Sequence, residues 1–221
     1  MRLLTDNRVA GQRSDTLLVM LPPALANIDD FVSHGFLQAV RRRNLDVDLL
    51  FADTNGQQVI DRTVVDDLHT EVILPARALG YSSIWLAGIS MGAFSALHYA
   101  AHHSAQLAGL YLLAPYPGTG DVLAEIRESQ GAVAWSQVHV AQDDERIWWH
   151  WLAQQNLRGQ WTPPVYFGTG NSDRFFKGQL LLCDTLPHDR VHIIPGDHQW
   201  PTWKALWEDW LEQGPLGSSL S

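Results

Sequence analysis

The sequence predicts an α/β protein of three layers, in which a mostly parallel sheet of about six or seven strands lies between helices. Two observations predict this. Short, continuous apolar runs recur along the chain, and amphipathic helical stretches separate them. A third observation sets the number of domains: 221 residues, 46% of them hydrophobic, suit one domain over residues 1–213 and fall slightly short of two.

Six short apolar runs are the expected strands, because a strand buried on both faces shows no polar alternation. In chain order these runs are 16–21, 45–51, 83–87, 107–114, 164–167 and 191–194. The first run ends at Pro22 and Pro23, and proline lacks the N–H that a central strand needs. Residues 3–10 are a further strand candidate before these six.

Stretches with helical spacing separate the runs. A helix is expected from Asp29 to the arginines at 41–43, because its acidic start and basic end suit the helix dipole. Residues 63–79 have an apolar stripe at helical spacing, although Pro75 should kink or break this helix. Further helices are expected at 91–103, before the last strand, and at 200–211, where tryptophans 200, 203, 207 and 210 share one face that suits packing on the sheet.

The interval 118–160 interrupts this rhythm, since it has helical pieces at 121–129 and 143–155 but no strand. An insertion after the carboxyl end of a strand lies over the edge where sites form in such sheets, so a small helical cap is expected here. We expect Trp148, Trp149 or Trp151 in this cap to line a substrate pocket, and Trp200 to form part of its wall. The tail 214–221 is rich in glycine and serine and is expected to be flexible.

Charge and composition exclude several classes. The formal net charge of −9 disfavours binding to nucleic acid or to an anionic membrane surface. No run of 18 apolar residues occurs, and the first residues lack the apolar region of a secretory signal, so a cytoplasmic protein is expected. The single cysteine, Cys183, is expected to be a buried small hydrophobe, because it has no partner for an internal disulfide.

One motif carries chemistry: residues 88–92 read G-x-S-x-G, directly after the run 83–87 and at the start of the helix 91–103. A serine on a sharp turn from strand to helix needs very small neighbours, which explains Gly88 and Gly92. The helix N-terminus supplies free N–H groups that stabilise a developing oxyanion. Ser90 is therefore the candidate nucleophile.

With this motif the chain resembles the α/β-hydrolase family, as a compact member trimmed at its N-terminus, over residues 16–211. The family's order is nucleophile, acid, base. Asp173 follows the run 164–167 and suits the acid, and His198 follows the last run and suits the base. Asp184 and Asp189 are the nearest substitutes for the acid, but neither directly follows a strand.

The resemblance also implies an oxyanion hole made of two backbone N–H groups. One is that of Met91, next to the nucleophile. Many family members carry His-Gly in the loop that supplies the other, whereas this chain has Leu-Pro-Pro-Ala at 21–24. Proline has no N–H, so Ala24 is the first residue in this loop that can donate.

The resemblance implies a serine hydrolase that cleaves carboxylic esters through an acyl-enzyme, with no cofactor and no metal, because the reaction needs water alone. Its expected partner is a small-molecule ester or thioester, and the oligomeric state is left open. A thioesterase is the closest alternative, since the same triad cleaves thioesters. A ligand-binding protein with a vestigial site, or an interaction module that acts through its tryptophans, is the alternative from another class.

Overall fold

The computed structural model describes residues 1–54, 57–58, 61, 63–142 and 144–216. Seven strands in these residues form one sheet of order β1-β3-β2-β4-β5-β6-β7. They are β1 (Arg2–Asp6), β2 (Thr16–Leu21), β3 (Asp48–Asp53), β4 (Ser83–Ile89), β5 (Gly109–Leu113), β6 (Val165–Gly170) and β7 (Val191–Ile194). All neighbouring strands pair in parallel except β1 and β3, which are antiparallel. The predicted α/β class with a mostly parallel sheet is confirmed.

Most strand bounds differ from the predicted ones only at the ends, and β2 and β7 agree with them. The second predicted strand differs most, because β3 begins at Asp48 rather than at residue 45. Leu45 and Val47 are buried, but they pack in the core before the ladder begins. The apolar side chains of Leu45 and Val47 therefore indicate burial in the core and not membership of a strand. Only the first half of the candidate strand at 3–10 is a strand, since β1 ends at Asp6, and β1 occupies one edge of the sheet.

Helices cover both faces of the sheet. They are α1 (Ile28–Ser33), α2 (Phe36–Arg42), α3 (Val64–Leu68), α4 (Leu74–Ala78), α5 (Met91–His103), α6 (Gly120–Glu128), α7 (Ala132–Val138), α8 (Arg146–Arg158), α9 (Phe176–Cys183) and α10 (Trp200–Gln213). One hydrophobic cluster joins the sheet to α3–α9, and a second joins the opposite face to α1, α2 and α10. The three predicted layers are these two groups of helices and the sheet.

The predicted helix at 63–79 is present, but its hydrogen-bonding pattern changes along its length. A π-helical turn at His69–Ile73 links α3 to α4, and Pro75 is at the start of α4. Proline cannot donate to the preceding turn, and the wider turn before it absorbs that break. Pro75 thus changes the hydrogen-bonding pattern of the helix instead of ending it.

The interval 118–160 contains three helices, α6, α7 and α8, rather than two. The third, α8, packs on α5 and belongs to the core of that face, so it is the crossover helix of the parallel pair β5 and β6. Thr119 donates from its N–H and its hydroxyl to Oε1 of the buried Glu145, at 2.7 and 2.6 Å. This pair joins the two ends of the excursion that contains α6 and α7. Asp143, the expected start of the last helix, lies outside the described residues.

The last helix agrees with the tryptophan spacing. Trp203, Trp207 and Trp210 of α10 are buried against the sheet, which confirms the predicted packing face. Gly214 is buried and its N–H donates to the Trp210 carbonyl at 2.8 Å, while Leu216 packs on the same cluster. The flexibility expected of the tail at 214–221 stays a prediction, and residues 217–221 lie outside the described part. Among the described helices, none has the length and hydropathy needed to span a membrane.

Candidate active site

Ser90 lies between the end of β4 and the first residue of α5. Its backbone has φ 52° and ψ −108°, in a region that L-residues rarely adopt. Such strain persists only where the surrounding structure over-determines it. The turn lifts the Ser90 side chain above the carboxyl edge of the sheet, where the loops after neighbouring strands meet.

Two glycines allow this turn. A Cβ on Gly88 would lie 2.3 Å from the backbone carbon of Gly92, and a Cβ on Gly92 would lie 2.2 Å from the Leu21 carbonyl oxygen. No side chain fits at either position unless the backbone moves. The glycines of the motif therefore bring β4, α5 and the end of β2 into direct backbone contact.

Three side chains form a hydrogen-bonded series at this edge. His198 Nε2 lies 2.9 Å from Ser90 Oγ, and His198 Nδ1 lies 2.6 Å from Asp173 Oδ2. Because a carboxylate accepts, Nδ1 carries the proton, and Nε2 is left to accept from the serine hydroxyl. Ser90, Asp173 and His198 have exposed fractions of 5%, 5% and 8%. The structure thus brings together the three residues that the motif order singled out.

The loops that carry the acid and the base are tied to each other. Asn171 and Ser172 donate from their N–H groups to the carbonyls of Ile194 and Gly196, both at 2.8 Å. The second oxygen of Asp173 accepts from the Phe175 N–H at 2.8 Å. The carboxylate is therefore fixed on both sides, and it holds the imidazole in one orientation.

Two aromatic rings enclose the imidazole. Phe175 and Trp203 each meet the His198 ring edge-on, at centroid distances of 5.1 and 5.0 Å. Tyr116 in turn meets Phe175 edge-on at 5.2 Å. Sequence reasoning did not assign these three residues to the site. Phe175 had a local signal, since it follows Asp173 by two positions, whereas Tyr116 and Trp203 had none.

Strand β5 and the loop after it hold the backbone of Ser90. The Ser90 N–H donates to the Leu113 carbonyl at 2.9 Å, and the Ser90 carbonyl accepts from the Tyr116 N–H at 3.1 Å. Both polar groups of the strained residue are thus satisfied by a neighbouring strand and its loop. The Ser90 carbonyl also accepts from the Phe94 N–H of α5 at 3.1 Å, so β5, the loop after it and the first turn of α5 together hold the backbone of Ser90.

The expected oxyanion donors lie on two sides of Ser90. Met91 is the first residue of α5, so its N–H has no acceptor within the helix. Ala24 lies in a turn closed by a 3.3 Å hydrogen bond from the Ala26 N–H to the Pro23 carbonyl. Leu25, the third residue of this turn, has φ 64°, which is the geometry of a type II turn. The oxyanion roles of Met91 and Ala24 stay predictions.

The structure corrects the expected role of two tryptophans. Trp148 and Trp149 are 0% exposed and belong to the core cluster below α5 and α8, so neither ring is open to a pocket. They point inward because α8 is a crossover helix on the sheet rather than a lid. Trp151 is half-buried against the same cluster. Trp200 is also half-buried, stacks on the His34 ring at 4.1 Å and meets Trp203 edge-on at 5.2 Å.

Comparisons with known proteins give a likeness of fold. No protein-family model matches the chain, and no curated protein matches its sequence. Similar solved structures include an S-formylglutathione hydrolase (FrmB) from Staphylococcus aureus, with TM-score 0.63, 12% identity, and coverage of 90% of this chain and 80% of that one. Another is Est1E from Butyrivibrio proteoclasticus, with TM-score 0.61, 15% identity, and coverage of 96% and 93%.

A third is an alpha-beta serine hydrolase homologue from Coxiella burnetii, with TM-score 0.59, 15% identity, and coverage of 99% and 91%. At sequence identities this low, the structural likeness establishes a common architecture and nothing finer.

Proposed function

We propose that this chain, whose fold is that of the α/β-hydrolases, is a serine hydrolase that cleaves carboxylic esters through an acyl-enzyme intermediate. The observation that carries the proposal is the hydrogen-bonded series from Ser90 through His198 to Asp173. Structural neighbours whose names denote hydrolases and esterases support the same reaction class.

The proposed mechanism assigns one role to each side chain. Ser90 Oγ attacks the ester carbonyl while His198 Nε2 takes its proton, since a serine hydroxyl is a weak nucleophile without a base. The imidazolium then returns the proton to the leaving alcohol. Asp173 keeps the proton on Nδ1 before attack and stabilises the imidazolium that forms. Water repeats the sequence on the acyl-enzyme and releases the acid.

The tetrahedral intermediate needs donors for its oxyanion. We assign this role to the N–H groups of Met91 and Ala24, of which the first lies at the positive end of α5. The contact between Gly92 and the Leu21 carbonyl places the loop that carries Ala24 against the start of α5.

A thioester is the alternative substrate. S-formylglutathione, named in one of the similar structures, is itself a thioester. The catalytic groups are the same for both substrates, because attack and collapse differ only in the leaving atom. The two functions are separated by the preferred leaving group.

The deciding experiment measures covalent labelling and turnover in parallel. The chain is treated with a fluorophosphonate probe, and then assayed with p-nitrophenyl esters of graded acyl length beside acyl thioesters of the same acyl groups. Ser90→Ala should remove labelling and lower kcat on the order of 10⁴- to 10⁶-fold. Ser136→Ala is the matched control, because the Ser136 hydroxyl donates to the Val133 carbonyl within α7 and to no other group of the described residues.

Stoichiometric labelling that Ser90→Ala abolishes supports the proposal. An unlabelled wild-type protein that turns over none of these substrates contradicts it and favours a vestigial site. Labelling that survives Ser90→Ala places the nucleophile elsewhere. If kcat/KM is higher for thioesters than for the matched esters, the chain is a thioesterase and the ester function is rejected.

A further inference from the structure

The loop at 114–119 follows β5 and supplies one of the two N–H groups that donate to the Ser90 carbonyl, the other being that of Phe94 in α5. Its first residue, Ala114, has φ 44°, so the chain turns sharply where the strand ends. Tyr116 then donates its N–H to the Ser90 carbonyl. The loop and Ser90 both contain a residue with positive φ, and such conformations persist only where neighbouring groups hold them. The backbone of Ser90 therefore depends in part on the groups that hold the loop.

One restraint acts on the carbonyl just before Tyr116. Gln179 of α9 donates from Nε2 to the Pro115 carbonyl at 3.0 Å, and its Oε1 accepts from the Thr169 hydroxyl at 2.6 Å. Gln179 and Thr169 are both 0% exposed. The amide orientation is determined by its partners, because a carbonyl oxygen only accepts. A buried amide with both ends bonded is a rigid strut between β6 and the loop.

A second restraint acts on the carbonyl just after Tyr116. The indole Nε1 of Trp149 donates to the Pro117 carbonyl at 3.2 Å. The Trp149 ring is fully buried and stacks on Trp148 at a centroid distance of 4.8 Å, so it has no freedom to follow the loop. The Tyr116 N–H is thus held between two carbonyls that are each fixed by a buried side chain.

We infer that Gln179 and Trp149 are positioning residues for the nucleophile, which fix the loop at 114–119 and through Tyr116 the backbone of Ser90. This inference rests on the proposed function, because it concerns the reaction of Ser90. Neither side chain contacts Ser90, His198 or Asp173 in any hydrogen bond of the described residues. Their effect is on geometry, and a displacement of about 1 Å at a reacting group costs on the order of 100-fold in rate.

The test removes each hydrogen bond with a side chain of similar size. Gln179→Met should lower kcat about 10-fold or more, because the Pro115 carbonyl belongs to the same peptide unit as the Tyr116 N–H. Trp149→Phe should lower kcat about threefold, because the Pro117 carbonyl lies two peptide units farther along the chain. KM should stay within about twofold in both, since substrate contacts are unchanged. The rate of fluorophosphonate labelling should fall in parallel with kcat.

Two matched controls separate positioning from stability. Asn156→Leu removes a side-chain donor to the Thr185 carbonyl at 2.9 Å, and Trp207→Phe removes a buried indole donor to the Phe36 carbonyl at 3.1 Å. Both should lower the melting temperature as the test variants do, but keep wild-type kcat. If the test variants also keep wild-type kcat, the inference is overturned.

Thr169→Val provides a milder variant in case Gln179→Met does not fold. It leaves Gln179 in place but removes the hydroxyl that orients the amide, so kcat should fall severalfold. In a folded Gln179→Met background the same substitution should have no further effect on kcat. Additive effects on kcat overturn the inference. A wild-type protein that the probe does not label contradicts the proposed function instead, whereas a labelled wild type with unaffected variants overturns the positioning role alone.

Discussion

Gly92 lies so close to Leu21 that a Cβ on the glycine would stand 2.2 Å from the Leu21 carbonyl oxygen. Gly92→Ala must therefore push the end of β2 away from α5, and it should lower the labelling rate of Ser90 and destabilise the fold by about 1–3 kcal/mol. Gly120→Ala is the matched control, because a Cβ at Gly120 meets open space. Labelling kinetics and melting temperature of both variants check this. If Gly92→Ala and Gly120→Ala change the labelling rate and the melting temperature equally, the close approach to Leu21 is not what requires glycine at position 92.

Asp173 should account for the tautomer of His198. Asp173→Asn places an amide where Nδ1 needs an acceptor, so we expect kcat to fall on the order of 10⁴-fold with little loss of stability. Asp184→Asn and Asp189→Asn are controls at the two other candidate acids, both exposed, and should keep wild-type kcat. A normal rate in Asp173→Asn would move the acid role to another carboxylate.

Trp148 should matter for stability and not for substrate choice. The ring is fully buried and meets Phe94 edge-on at 6.0 Å, so Trp148→Ala should destabilise the fold by about 3–5 kcal/mol. Denaturant unfolding measures this loss, and the profile of rates over graded acyl chains should match that of the wild type. A shifted chain-length optimum in a folded Trp148→Ala variant would return this ring to the pocket.

Cys183 should be unreactive in the native protein. The side chain is half-buried rather than fully buried as expected, and this burial raises the pKa of its thiol to about 12, to which the neighbouring Asp184 adds. Only the thiolate reacts with iodoacetamide, so at pH 8 alkylation should be far slower than in the urea-unfolded chain. Mass spectrometry over time checks this, with the unfolded chain as the reference. Similar rates in both states would mean that the α9 region opens readily.

His98 should make stability depend on pH below neutrality. Burial lowers the pKa of its imidazole from 6.5, so below that pH the unfolded chain binds a proton that the native state resists. The free energy of unfolding should therefore fall as the pH decreases from about 6.5, by up to about 1.4 kcal/mol per pH unit for one proton. His98→Gln should have a smaller slope than the wild type between pH 6.5 and 5. Equal slopes would mean that other groups control this range.

The parts that sequence predicts well here are those with a local cause. The bounds of β2 and β7, the helix after Ser90 and the inward face of α10 follow from apolar runs and spacing over a few residues. The elbow around Ser90 was accessible for the same reason, because strand, glycines and helix are consecutive. Asp173 and His198 were expected from motif order, and their loops meet through backbone bonds that no local pattern encodes.

The parts that failed depend on contacts between distant residues. Three tryptophans within 148–151 suit a lid over a site as well as a crossover helix packed on the sheet. Only the parallel pairing of β5 with β6 decides between these two positions. Gln179 gave no signal, since a glutamine on a helix usually faces solvent. Its role depends on Thr169 and Pro115, which are 10 and 64 positions away.

The bonded pair Thr119 and Glu145 means that the segment between them enters and leaves the fold at one point. The bonds that hold Ser90, from Leu113 to Pro117, all precede this point, and α8 begins just after it. Loop-closure cost rises slowly with length, so residues can be added after α7, at 139–142, at little cost to folding, whereas Ile126 of α6 and Trp135 of α7 are buried in the core and fix the helices themselves. The connection after α7 is therefore a place where length can vary, in evolution or in the laboratory, while the nucleophile keeps its place.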